Sequence, residues 1–224
     1  MCGRYALTLP HDAVAGFFDA QHDKTRFTAP RYNICPTQDI PVAVEFDGER
    51  YLTPMRWGFI PHWYKAPTDG PLLINARSET VAEKPAFRDA ATSRRCLVPA
   101  SGFYEWSRAG DRGKEPWYFQ ARDADLLAFA GIWQAWTAPD SGERLVSCAI
   151  LTTDAGEKMA EIHDREPVVI EPDDFGGWLD KTAELPADRL VSRPDAYYRR
   201  HRVSTAVNAA RGNDPSYIAP IDEG

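Results

Sequence analysis

Apolar positions in this chain come mostly in short alternating runs bounded by Gly, Pro and Asp, the signature of many short strands. Residues 3–9, Gly-Arg-Tyr-Ala-Leu-Thr-Leu, predict a strand that starts almost at the N-terminus. Residues 10–20 predict a short helix with Val14, Phe17 and Phe18 as its apolar stripe, followed by a polar loop over 21–30. Residues 31–38 do not alternate and meet Pro36, so they predict no core strand. Strands follow at 40–46 and 51–53, joined by an Asp47-Gly48 hairpin turn. Residues 55–64 hold aromatics between Gly58 and Pro61, with Trp57 and Phe59 expected in the core.

Further along, the apolar run 72–74 stops at Asn75, and Ser78 is placed to cap a helix over 79–89. Residues 101–106 are strand-like and lead to a charged turn at 108–116. Strands are predicted at 117–121, 126–133 and 145–152, the last two separated by Asp140-Ser141-Gly142. A short helix over 155–162, an apolar run at 168–170, a peripheral helical region over 171–192 and a basic edge strand near 199–202 complete the pattern. The last dozen residues resemble a tail. No repeat, low-complexity tract or linker divides the 224 residues, so the expectation is one domain, its core about 2–208 and its tail about 209–224.

Composition narrows the class. Hydrophobic residues make up 43% of the chain, which is globular, and no apolar run is long enough to span a membrane. No signal peptide is recognisable, so the expected location is cytoplasmic (nucleoid-associated in a bacterium). Cys2, Cys35, Cys96 and Cys148 are widely spaced and the five histidines scattered, which predicts neither a disulfide framework nor a metal site. The formal net charge of −7 discourages a nucleic-acid partner, but a single basic groove would suffice, and the arginines near 193–202 form the densest basic stretch.

Candidate chemistry begins at Cys2. If Met1 is removed, as the small second residue leads one to expect, the chain starts with a 1,2-aminothiol. Amine and thiol have ordinary pKa values of about 8 and about 8.5, so both are partly nucleophilic near neutrality. Such a pair can form an imine with an aldehyde and close to a thiazolidine, or act as a thiolate on an amide or ester. Glu105 stands between Tyr104 and Trp106 and shares its strand face with Phe103. Burial there would raise its pKa and suit acid–base work, whereas an exposed Glu105 would simply pair with a cation. Asn75 and Arg77, before the expected helix, read as a capping turn or as an oxyanion site. His163, at a helix–strand junction two residues before Arg165, reads as structural or catalytic. Trp63 and Tyr64, on a loop beside Lys65, are placed to stack on bases.

Six blocks taken together resemble the SRAP family, the SOS response-associated peptidase-like, abasic-site processing proteins. They are Met1-Cys2-Gly3-Arg4-Tyr5, Arg31-Tyr32-Asn33-x-x-Pro36, Trp57-Gly58-x-x-Pro61, Ile74-Asn75-Ala76-Arg77-x-Glu79-Thr80, Gly102-Phe103-Tyr104-Glu105-Trp106 and Ile162-His163-Asp164-Arg165-x-Pro167. The resemblance implies an α+β single domain with a bifurcated, mainly antiparallel, barrel-like sheet flanked by short helices. It implies binding of single-stranded DNA, or of single-to-double-strand junctions, that carries an abasic site, by a monomer without cofactor. It also implies a covalent cross-link in which the N-terminal cysteine forms a thiazolidine with the ring-opened sugar, a lyase- or hydrolase-type activity with which peptidase action can be associated. Carried over, the catalytic set is Cys2, Asn75, Glu105 and His163, and the DNA contacts are Arg4, Asn33, Pro36, Trp63, Arg77 and Arg165. Tyr64 joins them at a position where relatives often carry tryptophan. Two other readings stand beside this one: an N-terminal-cysteine peptidase or amidase of the glutamine amidotransferase kind, and a non-catalytic single-strand binder.

Overall fold

The strands are short and the helices shorter. In chain order the first seven strands are β1 (Tyr5–Leu7), β2 (His22–Asp23), β3 (Arg31–Ile34), β4 (Asp39–Phe46), β5 (Glu49–Trp57), β6 (Asn75–Arg77) and β7 (Arg95–Ala100). Then come β8 (Gly102–Trp106), β9 (Pro116–Ala121), β10 (Leu127–Thr137), β11 (Arg144–Asp154), β12 (Arg165–Pro167) and β13 (Tyr198–Arg202). The helices are α1 (His11–Phe17), α2 (Arg88–Ser93), α3 (Glu157–Ala160) and α4 (Phe175–Leu179). This computed structural model describes residues 2–25, 27, 30–107 and 114–221.

The hairpin signal at Asp47-Gly48 is realised. Both residues take positive φ, 53° and 79°, the left-handed pair whose twist matches two antiparallel strands. It joins β4 to β5, and β4 also pairs with β7. From β7 the ladder runs to β10 and β11, and β11 returns to β5 through Ser147↔Arg56 and Cys148↔Trp57. Five strands thus close on themselves. The remainder of β11 carries β6 and β12, with Ile150 opposite Asn75 and Asp154 opposite Arg165.

A second sheet, in the order β13-β9-β8-β1-β3, packs against this barrel. Aromatic rings form the seam: Tyr5 meets Trp57 edge-on at 5.4 Å and Phe129 at 6.2 Å, and Phe103 meets Phe129 at 5.9 Å. All four are fully buried, each contributing about 1.5–3 kcal/mol by leaving water. The fold is therefore a single α+β domain with a mainly antiparallel sheet, a closed five-stranded barrel and a few short helices. No helix among the described residues is long and apolar enough to cross a membrane.

Several local expectations change. Residues 31–34 do form a strand, because β1 supplies partners (Tyr5↔Ile34, Leu7↔Arg31) and the Asn213 side chain accepts from the Tyr32 N–H. No helix begins at Glu79. Residues 78–87 are successive turns, with Pro85 unable to donate to a helical ladder, and α2 starts only at Arg88. The segment 171–192 is not peripheral, since Phe175, Trp178 and Leu179 of α4 are buried and the Trp178 Nε1–H donates to the Cys96 carbonyl at 2.8 Å. Nor do the last residues trail away: Val207 and Tyr217 join Ala6, Tyr104 and Tyr118 in a second apolar cluster. Most of the charged turn expected at 108–116 lies outside the described residues, as does Met1.

Gly102, the first residue of β8, lies hard against β9. A Cβ there would strike the Phe119 carbonyl and the Tyr118 ring. Gly102→Ala should cost about 1–3 kcal/mol by overpacking, read as a lowered urea midpoint with an unchanged slope.

Candidate functional site

Cys2 reaches the interior because β1 follows it at once. The β1–β8 register (Tyr5↔Phe103, Ala6↔Gly102) extends through the Tyr104 N–H donating to the Arg4 carbonyl at 3.0 Å. Continued, it lays residues 2–4 alongside 104–106. Cys2 is fully buried and belongs to the main core. Strand alternation does the rest at Glu105. Tyr104 turns to the second cluster, while Phe103 and Glu105 turn toward the seam, and Glu105 is only 3% exposed.

Burial dominates the electrostatics of this pair. It pushes the Glu105 carboxyl up to about 7. It also pushes the Cys2 thiol far above its ordinary range, with the Glu105 charge adding to the effect. At neutral pH the carboxyl is divided between its acid and base forms, and the thiol keeps its proton.

His163 arrives from the α3–β12 connection, its N–H donating to the Met159 carbonyl at 2.9 Å. Its Nε2 lies 3.9 Å from Glu105 Oε2, close enough for charge coupling but longer than a direct hydrogen bond. The Arg165 backbone N–H donates to His163 Nδ1 at 3.0 Å. An amide can only donate, so neutral His163 carries its proton on Nε2, toward Glu105. Protonated, the ring has Asp164 Oδ1 and the Arg165 carbonyl, both 3.3 Å from Nδ1, as acceptors.

Arg165 braces this loop. Its guanidinium forms a two-pronged pair with Glu79 at 2.8 Å on each prong, meets Asp154, and donates to the Thr152 carbonyl at 2.6 Å. Asn75, on β6, makes one long contact from Nδ2 to the Ile150 carbonyl at 3.4 Å. Its Oδ1 is buried with no hydrogen-bond partner among the described residues. Such an acceptor costs about 1–3 kcal/mol to leave unmet, so it suits a donor brought by a ligand.

Glu105 and His163 open onto a cleft of about 550 Å³ shared with Arg4, Trp106, Lys114 and Asn208. Arg4 Nη1 donates at 2.7 Å both to Asn33 Oδ1 and to the Val207 carbonyl, and the guanidinium lies 5.8 Å from the Trp106 ring centroid. Asn33 in turn donates to the Ala209 and Gly212 carbonyls, so its amide is fully engaged in aiming Arg4. Trp106 Nε1–H donates to Asn208 Oδ1 at 2.7 Å. Trp106, Lys114 and Asn208 were not among the sequence candidates. Adjacency to Glu105 could have flagged Trp106, but Asn208 enters only through packing of the chain's last segment.

The family model described as SOS response associated peptidase (SRAP) matches residues 1–210. The chain belongs to the SRAP family. It is 36% identical over 223 residues to the abasic site processing protein YoqW of Bacillus subtilis, covering 97% of this chain and 99% of that one. It is 30% identical over 272 residues to the abasic site processing protein HMCES of Pongo abelii, covering 99% of this chain and 77% of the relative. A crystal structure of a protein from Bacteroides thetaiotaomicron shares the fold with a TM-score of 0.89 at 23% identity, covering 98% of this chain and 100% of that one.

In this SRAP chain the remaining candidates lie outside the lining of the cleft. Arg77 is exposed at the end of β6, opposite Thr152 of β11. Pro36 is half-buried in a turn whose next residue, Thr37, has φ 73°. Trp63 is 49% exposed, and its loop is anchored by Trp136 Nε1–H donating to the Tyr64 carbonyl at 2.7 Å. Tyr64 is half-buried, its ring closing on Gly70. Among the described residues no hydrogen bond joins Trp63, Tyr64, Pro36 or Arg77 to those lining the cleft.

Glu105 makes a testable contribution to stability. Its pKa rises from 4.5 to about 7 on folding. Across that window the native state holds a proton that the unfolded chain has released, so stability falls as pH rises. Glu105→Gln should remove up to about 3 kcal/mol of this pH dependence. Urea unfolding of both proteins at pH 5 and pH 8 measures it, and the variant should gain on the wild type at the higher pH.

Proposed function

We propose that this SRAP protein captures abasic sites in single-stranded DNA through a thiazolidine formed by Cys2. The observation that carries the proposal is the burial of Cys2 beside Glu105, with His163 next to the carboxyl and an open cleft in front of it. The names of its relatives give the lesion. The α-amine of Cys2 must be unblocked, so removal of Met1 is part of the proposal.

The steps follow from the residues. The ring-closed abasic sugar must open to its aldehyde, and His163 Nε2–H is the acid at hand. The Cys2 amine adds to the aldehyde carbon, and water leaves as the imine forms. Glu105, poised near pH 7, moves the protons of that exchange and takes the proton of the thiol. The thiolate then adds to the imine carbon, nitrogen regains a proton, and the five-membered ring closes. One water is lost overall. Asn75 Oδ1 accepts from the amine or a sugar hydroxyl. Arg4 and Arg77 meet the flanking phosphates, while Trp63, Tyr64 and Pro36 press against the neighbouring bases. Arg165 was expected among the phosphate contacts. With Glu79 and Asp154 on its guanidinium, we assign it instead to holding the His163 loop.

Incubation with a single-stranded oligonucleotide carrying one abasic site should give a heat-stable species on a denaturing gel. Its intact mass should equal protein without Met1 plus DNA less one water. Cys2→Ala should give none, and equal cross-linking by that variant would sink the proposal. Cys2→Ser should stop at an imine that survives only after borohydride reduction. Glu105→Gln should slow cross-linking roughly 10²-fold or more.

A further inference from the structure

A second cavity, of about 330 Å³, opens between β9, β13 and the start of α3. On a chain of formal net charge −7 its lining is cationic, with Arg122, Lys158, Arg193, Arg199 and Arg200 against Glu166 and Asp195. Backbone amides occupy both acids. Glu166 accepts from Gly156 N–H at 3.0 Å and Arg193 N–H at 2.8 Å, and Asp195 accepts from Lys158 N–H at 3.0 Å.

Two of the cations have carboxylate partners outside the cavity: Arg193 pairs with Glu171 and Arg200 with Glu161. Among the described residues the other three have none. The Arg122 side chain donates to the Ala196 carbonyl, and the Arg199 guanidinium meets the side-chain amide of Gln120. The Lys158 ammonium has no ion-pair partner among the described residues. The Tyr198 hydroxyl, on a residue lining the same cavity, is buried and has no hydrogen-bond partner among the described residues. Phe119 supplies an apolar wall. Guanidinium groups, an ammonium and a buried hydroxyl beside an apolar wall make a receptor for a tetrahedral oxyanion attached to an organic group.

We propose that this cavity binds the phosphate group of a nucleotide unit. Its volume lies within the range of small-molecule sites, about 300–1,000 Å³. The phosphate can come from a free nucleotide or from a DNA strand. Lys158 on α3 stands at this cavity and His163, just beyond α3, at the cleft, so a strand leaving the cleft could deliver it. The site does not depend on Cys2 chemistry, and its test has a readout apart from cross-linking.

Calorimetric titration with deoxyadenosine 5′-monophosphate, and anisotropy with an unmodified single-stranded oligonucleotide, compare the wild type with the combined Arg122→Ala, Lys158→Ala, Arg199→Ala variant. Circular dichroism and Tm verify folding, and Tyr198→Phe provides a milder second variant. A free-nucleotide site predicts monophosphate binding that weakens at least about tenfold in the combined variant and measurably in Tyr198→Phe. A strand site predicts no monophosphate binding, but about tenfold weaker oligonucleotide binding in the combined variant with a shallower salt dependence. No monophosphate binding together with unchanged oligonucleotide affinity overturns the proposal. So does monophosphate binding that neither variant weakens. Cross-linking that fails while either predicted binding pattern holds would count against the thiazolidine and leave this site standing.

Discussion

Burying a carboxyl next to a thiol is costly, and much of this architecture makes that arrangement persist. Glu105 would ionise readily in water. In the seam between the two sheets its charged form is penalised, its pKa moves to about 7, and the adjacent thiol is driven toward its neutral form. A pocket that dissolved the pair in solvent would lose both effects. The seam resists this because its walls are ring-packed strands: Tyr5 and Phe103 from the second sheet meet Trp57 and Phe129 from the barrel.

The second support is the Arg165 brace. Glu79 and Asp154 hold the guanidinium from two elements, one following β6 and one ending β11. The same residue's backbone N–H selects the His163 tautomer. One arginine thereby ties the orientation of the histidine to β11, the barrel strand against which Asn75 of β6 is paired. On the opposite wall, Asn33 is buried and hydrogen-bonded by both ends of its amide, so Arg4 is held over the cleft between Asn33, Val207 and Trp106. A residue drawn from a motif can therefore serve a site through its neighbour.

Much of the framework was readable along the chain. Alternation placed most of the strands, Asp47-Gly48 announced its own turn chemistry, and Phe103 and Glu105 share a face because strand side chains repeat every two residues. The misreadings share a cause. Arg31–Ile34 is too polar to look like a strand until β1 and Asn213 satisfy its backbone. Residues 78–87 suggest a helix until Pro85 is counted against the ladder. The final segment resembles a tail until Val207 and Tyr217 find Ala6 and Tyr104.

Local pattern alone marked which residues could do chemistry here: a cysteine at position 2, a carboxyl flanked by aromatics, a histidine at a junction. Six spaced motifs were enough to place the chain in its family. Tertiary structure alone decided how those groups are charged and occupied, because desolvation and ion pairing arise only when distant segments meet. It buried Glu105 against Cys2, engaged Arg165 with two carboxylates, and turned Asn33 into a support for Arg4. It also gathered Lys158, Arg122 and Arg199 around one cavity from three separate stretches of sequence. Charge placement is a property of the folded surface, and a net charge of −7 summed along the chain could not reveal it.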